Sequence, residues 1–158
     1  INHLRVLRLS QNSSSGFDYR SMKQLWIKAN TLFALKMDVP APAGLLKRRS
    51  PGGGKEGFLI SEMPDTCTPL SCCPDWFSDQ NLIFSLVRLA EQVSPFGILN
   101  KNLSCQDIFV RMGGNRFRCF LGNYLSFSIN RLPGETNKPV NVQIIKNLLQ
   151  TNNTPASQ

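Results

Sequence analysis

The chain has 158 residues, with 18 Lys and Arg against 10 Asp and Glu, a net charge of +8 and 41% hydrophobic residues. That balance fits a folded chain with one modest core and excludes the low-complexity and disordered classes. No apolar run approaches the roughly 18 residues needed to cross a bilayer and no secretory signal pattern opens the chain, so no membrane span is expected, and the expected compartment is the cytoplasm, with the nucleus as the alternative.

His3 to Leu9 reads as a strand, with Leu4, Val6 and Leu9 as its apolar positions. Residues 11–16 read as a polar turn. From Phe17 to Met37 the pattern turns helical. Met22, Leu25, Trp26, Ala29, Leu32 and Phe33 recur at threes and fours, with Lys36 as a polar exception and Asp18 near the start. Pro40 is expected to end that helix. Residues 40–56, with Pro40, Pro42, Gly44, Pro51 and Gly52 to Gly54, read as a mobile basic loop. Gly57 to Met63 reads as a buried strand, and Pro64 to Pro74 as an irregular stretch holding three cysteines. Ser78 is expected to cap a helix over Asp79 to Val93, with Leu82, Ile83, Leu86, Leu89, Ala90 and Val93 as its apolar stripe. Ile108 to Arg111 and Arg116 to Phe120 read as a hairpin around Gly113 and Gly114. A last helix is expected over Pro139 to Gln150, followed by a frayed tail from Thr151 to Gln158.

The charge is unevenly placed. Residues 1–57 hold ten Lys and Arg against the acids Asp18, Asp38 and Glu56, and the remainder is nearly balanced. A basic surface of this kind can attract nucleic acid or another acidic surface, but no aromatic residue interleaves with Lys47, Arg48 and Arg49 to stack bases. The cysteines, Cys67, Cys72, Cys73, Cys105 and Cys119, are odd in number and lack the paired spacing of a zinc site. Neither a disulfide framework nor a metal is expected. The chain opens on Ile1 rather than Met, which leaves open both a piece of a longer protein and a shortened chain.

One stretch carries a more specific signal. Gly97-Ile98-Leu99-Asn100-Lys101-Asn102-Leu103 follows the helix that ends at Val93. This resembles the approach to the catalytic loop of protein kinases, where a Gly and two apolar residues precede H-R-D-L. Here Asn100-Lys101-Asn102 stands where the family has H-R-D. The family's metal-binding Asn falls five residues after its catalytic Asp, and five after Asn102 is Asp107. The D-F-G position then falls on Phe120-Leu121-Gly122. Upstream, His3 to Leu9 resembles the strand that carries the nucleotide-binding Lys, with Arg5 or Arg8 at that position. The helix after it holds no Glu to pair with such a Lys, and Gly57 to Met63 resembles the strand that leads into the hinge.

The resemblance implies an α+β, protein-kinase-like fold, partial or shortened. Residues 1–63 would form an N-lobe-like segment, 64–150 a C-lobe-like segment and 151–158 a flexible tail. It also implies lost chemistry. An amide at Asn102 cannot take up the substrate proton. Phe120 offers no oxygen to magnesium, which demands hard ligands. Asp107 alone would hold a metal weakly. The degenerate positions are therefore Asn100, Lys101, Asn102, Asp107, Phe120, Leu121 and Gly122, with apolar Phe120 and Leu121 filling the cleft and no cofactor or metal. The expected role is a catalytically inactive module, a protein-binding scaffold or allosteric regulator with a protein partner. The alternative is a basic domain that binds nucleic acid or another acidic surface.

Overall fold

The computed structural model describes residues 3–9, 19–49, 55–73, 75–114, 116–129 and 137–153. The chain divides into two compact units, Ile1–Asp65 and Thr66–Gln158.

In the first unit, β1 (His3–Leu9) is followed by α1 (Tyr19–Ala34), β2 (Ala41–Arg49) and β3 (Lys55–Met63). The strands form one antiparallel sheet in the order β1-β3-β2. β3 lies in the middle and pairs from Leu9↔Gly57 to His3↔Met63 on one side and from Arg49↔Lys55 to Ala41↔Glu62 on the other. α1 packs against β2. Its buried residues, Met22, Leu25, Ala29 and Leu32, follow the three-and-four spacing that puts side chains on one helical face. Leu59 and Met63 of β3 are buried as well.

Two expectations fail here. Residues 41–49 form a strand, not a loop. Pro42 and Gly44 disguise it, yet β2 is an edge strand, where a missing N–H is tolerated. A register shift between Pro42 and Gly44 absorbs the irregularity, and pairing with β3 overrides local propensity. The Gly52–Gly54 part of the expected loop lies outside the described residues. The helix also ends earlier than expected, at Ala34, and Pro40 is not what stops it. Lys36 adopts a left-handed φ of 56°. Met37 N–H donates to the Leu32 carbonyl at 3.2 Å and Lys36 N–H to that of Phe33 at 2.9 Å, which is the Schellman pattern, closed here by a lysine where glycine is usual. Phe17 and Asp18, the expected helix start, and the side chains of Arg5 and Arg8 lie outside the described residues.

In the second unit, β4 (Cys67–Pro69) leads through a 3-10 turn (Leu70–Cys72) to α2 (Gln80–Val93). β5 (Gly97–Leu99), β6 (Ile108–Gly113), β7 (Arg116–Leu121), a 3-10 turn (Tyr124–Ser126), β8 (Phe127–Ile129) and α3 (Asn137–Asn153) follow. One sheet runs β4-β6-β7 and a second pairs β5 with β8. The cap of α2 is Asp79, whose carboxylate accepts from Asn81 N–H at 2.9 Å and Leu82 N–H at 3.2 Å. Ser78, the expected cap, turns its hydroxyl to the Asp75 carbonyl at 2.8 Å. Leu82, Leu86, Leu89, Ala90 and Val93 are buried, and α2 packs against β7 and α3. α3 is longer than expected at both ends. It starts at Asn137 and carries Thr151 to Asn153, read as tail, in helical form. Pro139 sits in its first turn, where an N–H has no helical partner to lose. Residues 154–158 lie outside the described residues. Among the described residues, no helix is long and apolar enough to cross a membrane.

Candidate functional site

The kinase-like positions sit on the loop after β5, just before β6 and at the end of β7. β5 meets β8 so closely that a Cβ on Gly97 would lie 2.0 Å from the Ser128 carbonyl oxygen and 2.6 Å from Phe127 Cζ. Only glycine admits that approach. Past β5 the chain turns at Asn100. Its N–H donates to the Ser126 carbonyl at 2.8 Å, and its carbonyl accepts from Leu103 N–H at 3.0 Å. Its side-chain Oδ1 accepts from Asn102 N–H at 3.0 Å, so Asn100 holds an Asx turn. Leu103 is buried, whereas Asn100, Lys101 and Asn102 point to solvent.

Asp107 occupies the centre. Its Oδ2 accepts from the Ser104 N–H at 3.0 Å and the Ser104 hydroxyl at 2.9 Å, and its Oδ1 from Asn123 Nδ2 at 2.8 Å. Burial pushes its carboxyl pKa up, but hydrogen bonds from Asn123, Ser104 and the Ser126 side chain outweigh that and hold it below the ordinary carboxylate value. Its carbonyl accepts from Gly122 N–H at 2.7 Å. Asp107 and Gly122, far apart in sequence, therefore meet directly, and the Asn100 turn joins them through Ser126.

Phe120 lies on β7 opposite Phe109 and is 5% exposed, and Leu121 is fully buried. The Arg118 guanidinium lies over the Phe120 ring at 5.3 Å, within cation–π range. Where the family resemblance places a metal-binding carboxylate, this chain packs an aromatic ring. Asn102 and Phe120 differ correspondingly: one is exposed and the other buried. Both Asp107 oxygens already accept hydrogen bonds, and a cation there would have to displace the Ser104 or Asn123 donors. Among the described residues no group of three or more His, Cys, Asp or Glu side chains gathers.

Sequence reasoning missed the polar residues that hold this arrangement. Asn123 bridges, with Oδ1 accepting from Leu125 N–H at 3.0 Å while its amide serves Asp107. Asn141 is fully buried on α3. Its Oδ1 accepts from Leu99 N–H at 2.8 Å, and its Nδ2 donates to the Gly97 carbonyl at 3.0 Å and to Ser94 Oγ at 3.1 Å. Asn137, one turn earlier, donates to the Ser94 carbonyl at 3.1 Å. A pair of asparagines four apart in a weakly apolar helix was the available signal, because buried polar side chains must be satisfied.

No family model and no curated protein sequence matches this chain. Among solved structures, that of WaaP in complex with acyl carrier protein is similar, with a TM-score of 0.53 and 10% sequence identity over 80% of this chain and 58% of that one. WaaP is a kinase-like enzyme, and the likeness supports a kinase-like fold for this chain in its coarse arrangement. The chain thus spans little more than half the length of the structure it matches.

Proposed function

We propose that this chain is a catalytically inactive kinase-like module that acts as a protein-binding scaffold or allosteric regulator within a larger protein or complex. The observation that carries this reading is Phe120, 5% exposed at the position where the resemblance calls for the principal metal ligand. Phosphoryl transfer works by positioning phosphates and metal ions around an in-line attack, with a carboxylate near the attacking hydroxyl. Asn102 supplies an amide in place of that carboxylate. The carboxylate that does remain, Asp107, is spent on Ser104, Asn123 and Ser126. With the chemistry gone, binding is the role left to the scaffold, and the similar WaaP structure contains a protein partner.

The test is phosphotransfer by the purified protein with magnesium-ATP, to itself and to generic substrates. No incorporation is expected, and no rise in Tm with magnesium-ATP, since a ligand that binds the folded state raises stability. Transfer that disappears in Asp107→Asn, or a rise of several degrees that chelation removes, would overturn the reading.

A further inference from the structure

The β6–β7 hairpin carries a feature that the degenerate catalytic positions leave unexplained. Its register sets Arg111 opposite Arg118, Gly113 opposite Arg116 and Phe109 opposite Phe120. Residues opposite one another share a face and neighbours along a strand alternate, so positions 109, 111, 113, 116, 118 and 120 make one face. On the other face Ile108, Val110, Cys119 and Leu121 are buried, whereas Met112 near the turn is 66% exposed. The first face carries three arginines, all exposed, and no acidic residue among its six positions.

The geometry of the three is compact. Opposed Cβ atoms lie about 5 Å apart and alternate residues along a strand about 6.6 Å apart, so the three guanidinium stems rise from a patch the size of one or two oxyanions. Cys67 stands opposite Arg111 on β4. Burial raises its thiol pKa and the nearby Arg111 guanidinium pulls against that rise, in keeping with opposed residues that share a face. Arg111 and Arg118 stand directly opposite each other, with the Arg118 guanidinium over the Phe120 ring.

The residue type narrows the ligand. All three cations are arginine, whereas the lysines of this unit, Lys101, Lys138 and Lys146, lie elsewhere, and Lys138 pairs with Glu91 at 2.8 Å. The planar guanidinium fork fits phosphate bidentately, which an ammonium does not. The aromatic residues of the face are not displayed for base stacking, because Phe120 is buried and Phe109 half-buried, which disfavours single-stranded nucleic acid. We propose that the Arg111–Arg116–Arg118 face of the β6–β7 hairpin binds phosphorylated side chains of a protein partner. This holds whether or not the chain itself transfers phosphate.

The test uses a degenerate phosphoserine peptide library and its unphosphorylated counterpart as probes at low salt. The phosphorylated library is expected to bind at least tenfold tighter. Arg111→Gln with Arg116→Gln should lose that preference, and the charge-matched Lys23→Gln with Lys146→Gln should keep it. On the unaltered protein, the phosphopeptides should protect Arg111 and Arg116 from phenylglyoxal, which reads the site without relying on a variant that folds. Equal binding of both libraries, equal loss in the lysine variant, or no protection of the two arginines overturns the proposal. Tighter binding of DNA or RNA oligonucleotides, lost with the same arginines, overturns it in favour of a nucleic acid partner.

Discussion

Asn123 donates its side-chain amide to Asp107 Oδ1 at 2.8 Å across 16 residues of chain. The contact closes the loop before β6 onto the loop after β7, beside the main-chain bond from Gly122 N–H to the Asp107 carbonyl at 2.7 Å. The carboxylate at the position to which the kinase resemblance assigns a metal ligand acts as the acceptor that ties two loops together.

That role gives Asp107 a pH signature. Its folded-state pKa lies below the ordinary value, so its stabilisation is fully present above the unfolded-state pKa, about 3.9, and is lost as pH falls through the lower folded-state value. Asp107→Asn should lower stability by about 1–2 kcal/mol at neutral pH, as charge-assisted hydrogen bonds to a half-buried carboxylate are lost. It should also flatten the acid limb of stability against pH. Urea denaturation from pH 2.5 to 7 measures both, and an unchanged acid limb would count against the role.

Asn141→Ala should be more damaging, by about 2–4 kcal/mol, because it strands the buried Leu99 N–H and Gly97 carbonyl without partners. Asn141→Leu, which fills the space without supplying the bonds, should not rescue it. Urea midpoints of the two variants decide this.

Gly97→Ala tests the close approach of β5 to β8. The obstacle is main chain, the Ser128 carbonyl at 2.0 Å from the added Cβ, and cannot swing aside. A loss of about 3 kcal/mol or more is expected, seen as a collapse of Tm or of the folded yield.

Lys36→Gly should do the reverse. Lys36 holds a φ of 56°, which costs a residue with a Cβ about 1 kcal/mol relative to glycine. Its side chain is exposed, so little packing is lost, and thermal denaturation should show a gain in Tm of a few degrees.

Phe120→Ala should destabilise by about 3–5 kcal/mol, as large aromatic truncations in a core do, and Phe120→Leu by distinctly less. Near-equal effects of the two in urea would mean that the ring is not packed as its burial requires.

The sequence by itself determined the elements whose signal is local and repeated. α2 was legible because Leu82, Leu86, Leu89 and Val93 recur at helical spacing, and β3 because Gly57 to Met63 is a short apolar run. The β6–β7 hairpin was legible from the glycines between two apolar stretches, and the spacing from Gly97 to Gly122 carried the kinase-like resemblance. Tertiary structure decided the rest. β2 reads as loop residue by residue and becomes a strand only when β3 offers it a ladder. β5 and β8, three residues each, are too short to show a period. The roles of Asn123 and Asn141 depend on which donors and acceptors are brought beside them from 16 and 42 residues away. Periodicity records which residues avoid water; hydrogen bonds between distant segments leave no such record, because any asparagine can make them and only the folded chain chooses the partner.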